Sequence, residues 1–205
     1  MKKTTLSLFL CLWVVSTFAQ TSVMDFYNAK VKEMSKLMYP NQTEPIFTLN
    51  ITKKDVANGY LAYNYSPALG YLAGVTNSPE QMAYFTSKDG QKFVAVVSIV
   101  CKGNYCSAEM PKFFTLENGA LIDKTEQYLP AHVIKQIDKA LFEKMATVIR
   151  SPNGKEVNFF IWVKIPKKNS TIQIGLQETN ERETSYVVCE LTYNEANGTF
   201  TFVKK

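Results

Sequence analysis

The sequence predicts an α+β fold: a curved, mostly antiparallel β-sheet with an N-terminal helix and one mid-chain amphipathic helix. Three observations predict it. From Ile46 onward, short runs rich in β-branched and aromatic residues are punctuated by Asn-Gly or Asp-Gly pairs, which accept the positive φ angles of tight hairpin turns. Residues 130–149 instead carry apolar residues at helical spacing. The 205 residues are 46% hydrophobic, 13% aromatic and 20% charged. That composition supplies a core and excludes a disordered chain, a collagen repeat and a coiled coil.

Taken in order, residues 1–19 read as a cleaved signal peptide. Met1-Lys2-Lys3 is a basic head, Leu6–Val15 is an apolar stretch too short to span a bilayer, and Thr17-Phe18-Ala19 places small residues before a break at Gln20. Cys11 follows Leu10 rather than a small residue, which argues against a lipoprotein. Residues 20–205 are expected to form a single α+β domain, periplasmic or secreted.

Ser22 and Asp25 form a capping-box-like start, and Tyr27, Val31, Met34 and Met38 follow at helical spacing until Pro40 and Asn41. Residues 41–45 read as a linker. Strands are expected at Tyr60–Tyr65, Gln81–Thr86, Lys92–Cys101, Lys112–Leu116, Glu156–Ile165, Thr171–Leu176, Tyr186–Tyr193 and Thr199–Val203. Alternation sends Leu61, Tyr63 and Tyr65 inward. Phe93–Cys101 and Val157–Ile165 are apolar on both faces, which predicts central strands. Ile134, Ile137, Leu141, Met145 and Val148 make one stripe on the second helix, begun by Pro130. The likeness of Tyr84–Gly90 to Phe113–Gly119 is generic hairpin chemistry rather than a propeller repeat, which needs more copies at a fixed period.

Three cysteines follow the leader. Cys101 and Cys106 flank Lys102-Gly103-Asn104-Tyr105, which suits the two ends of a hairpin, and export permits a disulfide there. Cys189 falls on the apolar face of its strand and reads as a buried free thiol. A zinc site lacks a second Cys/His pair, since His132 is the sole histidine. No metal or other cofactor is implied.

The sequence has no G-x-S-x-G elbow, no H-E-x-x-H and no phosphate-binding glycine loop. His132 reads as a surface or capping residue, and Glu178, Glu181 and Glu183 as a solvated turn. The net charge of +5 is scattered rather than clustered, which argues against nucleic acid. No stretch predicts a membrane span. The five N-x-S/T sequons at Asn41, Asn50, Asn64, Asn169 and Asn197 read as turn chemistry behind a bacterial-type leader.

Three features suit binding, of which the abundance of tyrosine, at eleven residues, is one. Ser66–Pro79 is an apolar loop bearing Leu69 and Tyr71. Phe160 and Trp162 share a strand face with Asn158 and Lys164, the mixture of aromatic and polar groups that a sugar or peptide platform uses. The competing account of that face is cover by a helix. The expectation is that Trp162 is core and that the Tyr71 loop is the exposed contact.

Asp55–Leu61, Lys88-Asp89-Gly90, the cysteine pair, Phe113-Phe114-Thr115 with Leu129-Pro130, and the ending Leu191–Lys205 together resemble exported β-rich domains of Gram-negative commensal bacteria. The resemblance implies an exported β-rich domain and transfers no activity and no functional residue. The reading that results is a non-enzymatic domain binding a protein, peptide or glycan at the cell envelope. The alternatives are an envelope-polymer hydrolase using a carboxylate pair and a small secreted enzyme inhibitor.

Overall fold

The computed structural model describes residues 21–38, 47–67, 79–102, 105–149, 158–166, 171–178 and 184–205, and their side chains except at 47–53, 64–67, 101–102, 105 and 149. The leader, the 41–45 linker, most of the Tyr71 loop, the Asn153-Gly154 turn and the Glu181–Glu183 stretch therefore lie outside the described residues.

Helix α1 (Val23–Met38) begins as its cap predicts. The Ser22 backbone N–H and hydroxyl both donate to the Asp25 carboxylate, at 2.7 and 3.0 Å, while Asp25 N–H returns to Ser22 O. Strands β1 (Phe47–Asp55), β2 (Tyr60–Pro67), β3 (Pro79–Thr86), β4 (Lys92–Lys102), β5 (Tyr105–Ala108), β6 (Lys112–Glu117) and β7 (Ala120–Asp123) follow. They form one antiparallel sheet in the order β1-β2-β3-β4-β6-β7, with β5 paired to the far half of β4. A short helix α2 (Thr125–Tyr128) leads into α3 (Ala131–Ile149). Strands β8 (Phe159–Lys164), β9 (Thr171–Glu178), β10 (Ser185–Asn194) and β11 (Thr199–Lys204) form a second antiparallel sheet, ordered β11-β10-β9-β8.

The α+β class and the antiparallel pairing are thus as expected, but the strands divide into two sheets. The reason is the apolar face of β9–β11. Ile172, Ile174, Leu176, Leu191, Tyr193 and Phe200 are all buried, and they share one core with Phe85, Phe93, Ala95, Val97 and Phe113 from the first sheet. Face-to-face packing buries both rows at once, which edge-to-edge extension would not. Helix α3 closes the same core through Val133, Ile137, Ala140 and Leu141. At the centre Phe93 stacks on Tyr128 at 3.9 Å between ring centroids.

The opposite face of the first sheet carries a second core. Leu61, Tyr63, Met82, Val94 and Val96 are covered by Val23, Phe26 and Tyr27 of α1. That accounts for β4: it is central and buried on both faces because helix lies on one side and the second sheet on the other. β8 is not central. It is an edge strand whose free side meets β5, where Ser107 Oγ accepts the Ile161 N–H at 3.2 Å. Asn118 and Gly119 both have positive φ (52° and 76°), the signature of a two-residue hairpin, and Glu117 pairs directly with Ala120.

Candidate functional site

Strand alternation splits β8 into two rows. Phe159, Ile161 and Val163 point into the inter-sheet core. Phe160, Trp162 and Lys164 point the other way, and register sets them against Gln177, Gly175 and Gln173 of β9. Phe160 and Trp162 are only half-buried and belong to neither core. No described helix covers them, because α3 packs on the opposite, core face of this sheet. Trp162 therefore departs from the expected core position, and for a geometric reason. The helix stripe and the Ile172–Leu176 row meet on one face, so among the described residues no element packs on the other face of β8 and β9.

Trp162 is held there by its neighbours. A Cβ at position 175 would collide with the indole ring and with the Tyr186 carbonyl oxygen, so the ring lies directly over Gly175. The indole Nε1–H donates to the Leu176 carbonyl at 3.2 Å, which fixes the ring across the sheet. The surroundings are polar. Gln173 Nε2 donates to Glu190 Oε1 at 3.0 Å, and Lys205 pairs with Glu190 Oε2 at 2.6 Å. Hydrogen bonds from Lys205 and then Gln173 hold the Glu190 carboxyl below its ordinary pKa. Thr171 and Thr192 hydroxyls meet at 3.1 Å. Val187 (39% exposed) and Val203 (41% exposed) add apolar area. Among the described residues the result is an outward sheet face with one anchored indole, a phenyl ring, a lysine and side-chain amides.

The other sequence candidates are placed differently. Leu69 and Tyr71 lie outside the described residues. The β4–β5 register sets Cys101 directly opposite Cys106, with the Cys101 side chain itself outside the described residues. Cys189 is free and fully buried. Burial, and then the charge of Glu190, push its thiol up to about 11, so it is not a nucleophile at neutral pH. His132 is exposed at the start of α3. Glu178 accepts the Tyr186 hydroxyl at 2.7 Å. Among the described residues no group of three or more His, Cys, Asp or Glu side chains is placed to hold a metal.

One cluster was not anticipated. Glu80 at the start of β3 is 5% exposed beneath α1. Its Oε2 accepts Lys30 Nζ at 2.6 Å and the Tyr63 hydroxyl at 2.8 Å, and its Oε1 accepts Ser98 Oγ at 2.6 Å. Burial drives the carboxyl pKa up, but the Lys30 charge and the three hydrogen bonds outweigh it and leave the pKa below ordinary. A carboxylate with its oxygens so occupied clamps α1 to the sheet rather than exchanging protons with a substrate. The signal was present in the alternation: Glu80 shares the inward parity of Met82.

Comparison with known protein families, with characterised proteins and with solved structures finds no match. No helix among the described residues is long and apolar enough to cross a membrane.

Proposed function

We propose that this is an exported, non-enzymatic domain that binds a protein, peptide or glycan at the cell envelope through the outer face of the β8–β11 sheet. The observation that carries the reading is Trp162. An indole held over Gly175 and partly exposed on a polar sheet face offers a preformed stacking surface at little entropic cost. Phe160, Lys164, Gln173 and Glu190 surround it with the groups that orient a polar ligand. Export is proposed on the leader-like pattern of residues 1–19, with its basic head, apolar stretch and small residues before Gln20. The Cys101–Cys106 pair is proposed as a disulfide, supported by their facing register. Tyr71 and Leu69, in the segment preceding β3, are proposed as a second contact.

The test uses the chain beginning at Gln20, in which Trp162 is the sole tryptophan. Its emission is followed while soluble peptidoglycan fragments, and separately envelope protein digests, are added. A saturable change that disappears in Phe160→Ala, with the fold retained by circular dichroism, supports the reading. An unchanged emission with both ligand sets, together with unaltered retention of Trp162→Ala on envelope fractions, overturns it.

A further inference from the structure

A second surface lies at the other end of the same sheet. Among the described residues β11 is the edge strand, and α3 runs beside it. Between them is a groove of about 220 Å³ lined by Gln136, Lys139, Ala140 and Glu143 of α3 and by Phe202 and Lys204 of β11. The helix residues stand at i, i+3, i+4 and i+7, one face of a helix, and the strand residues stand two apart, one face of a strand. The Lys205 N–H donates to Val188 O inside the sheet. Alternation of an antiparallel ladder then directs the N–H and C=O groups of Phe202 and Lys204 outward, away from β10. Among the described residues the groove thus combines a strand edge without a ladder partner with an apolar floor made by Phe202 and the buried Ala140.

We propose that this groove is a strand-addition site for an extended peptide bearing an acidic residue two positions from an apolar one. An added strand pairs its backbone with Phe202 and Lys204 and turns every second side chain toward α3. The apolar side chain then rests on Phe202 and Ala140. The acidic one meets Lys139 and Lys204, which converge on Glu143 from the helix and the strand. Their side chains are 77% and 56% exposed, so both ammonium groups keep donors for a second carboxylate. Edge lysines commonly guard a sheet against pairing. Here the flanking helix converts the edge into a trough with a half-buried phenyl floor, which suits one narrow strand rather than a second sheet. The site is separate from the Trp162 face and does not depend on that reading.

The probe is a fluorescein-labelled heptapeptide, Thr-Val-Thr-Leu-Thr-Glu-Thr, titrated by anisotropy. Backbone amide shifts in β11 and α3 are mapped by NMR in parallel. Saturable binding with shifts confined to these two elements is expected. Replacing the peptide Glu by Lys, or making Lys139→Glu, weakens it at least tenfold, and pairing those two changes restores it. Lys204→Pro removes an outward N–H without touching the β10 ladder and abolishes binding, while Lys204→Gln only weakens it. Binding unaffected by Lys139→Glu, shifts located elsewhere, or no binding at millimolar peptide overturns the proposal. So does a concentration-dependent dimer by sedimentation with β11 protected, because the edge then belongs to a second copy.

Discussion

Replacing Glu80 by alanine removes the carboxylate on which Lys30, Tyr63 and Ser98 converge. The Lys30 and Glu80 side chains are only 15% and 6% exposed, so water does not simply take the lost place. Breaking a buried ion pair by deleting one partner costs about 3–5 kcal/mol. For a chain of this size each kcal/mol lowers Tm by about 2–4 °C, so a fall of roughly 6–20 °C is expected. Replacing both partners with apolar residues, Lys30→Met with Glu80→Met, leaves no buried charge behind and recovers much of that loss. A double-mutant cycle in urea isolates the pair as a coupling of about 2 kcal/mol or more. The sign with pH follows from the depressed carboxyl pKa. The stabilisation is fully present above the ordinary value of 4.5 and is lost as pH falls through the lower folded value. Helix α1 is the element that loosens first, detected as faster amide exchange in Val23–Met38 at acid pH. A Glu80→Ala protein within about 1 kcal/mol of the parent, or a coupling near zero, refutes the clamp.

Gly175→Ala forces a methyl group into the Trp162 ring and the Tyr186 carbonyl; it costs at least about 1–3 kcal/mol and shifts the Trp162 emission to the red. The Cys189 thiol, raised to about 11, stays unreactive toward Ellman's reagent at pH 8 in the native state and appears as one thiol on denaturation. Cys106→Ser in the exported protein costs only about 2 kcal/mol, because the loop closed is short, and exposes a second thiol. Intact mass of the exported form begins at Gln20; a start before residue 15, or an added lipid mass, removes the signal-peptide assignment.

Local chemistry determined much of this protein directly from sequence. The Ser22–Asp25 cap, the positive φ at Gly59, Gly90, Gly119 and Gly198 and the Ile134–Met145 stripe act over a few residues, so their outcomes are written in their own neighbourhood. The inward parity of Tyr63, Cys189 and Leu191 follows in the same way from a period of two. Tertiary structure alone decided how the faces were used. Alternation told that Phe160 and Trp162 share a face, but not which face α3 covers, and that depended on the second sheet packing against the first. The apolar run in β8 reads as a central strand because both its faces are filled. Only the fold shows that one is filled by the core and the other by Trp162 lying over Gly175. Glu80 acquires its role only when α1 brings Lys30 across fifty residues of chain to meet it. The groove beside β11 has no sequence signature, because its two walls become neighbours only when the chain returns after β8–β10. Short-range preferences are additive along the chain, whereas sites are made by long-range contacts, and a single sequence constrains those only through the surface each element must bury.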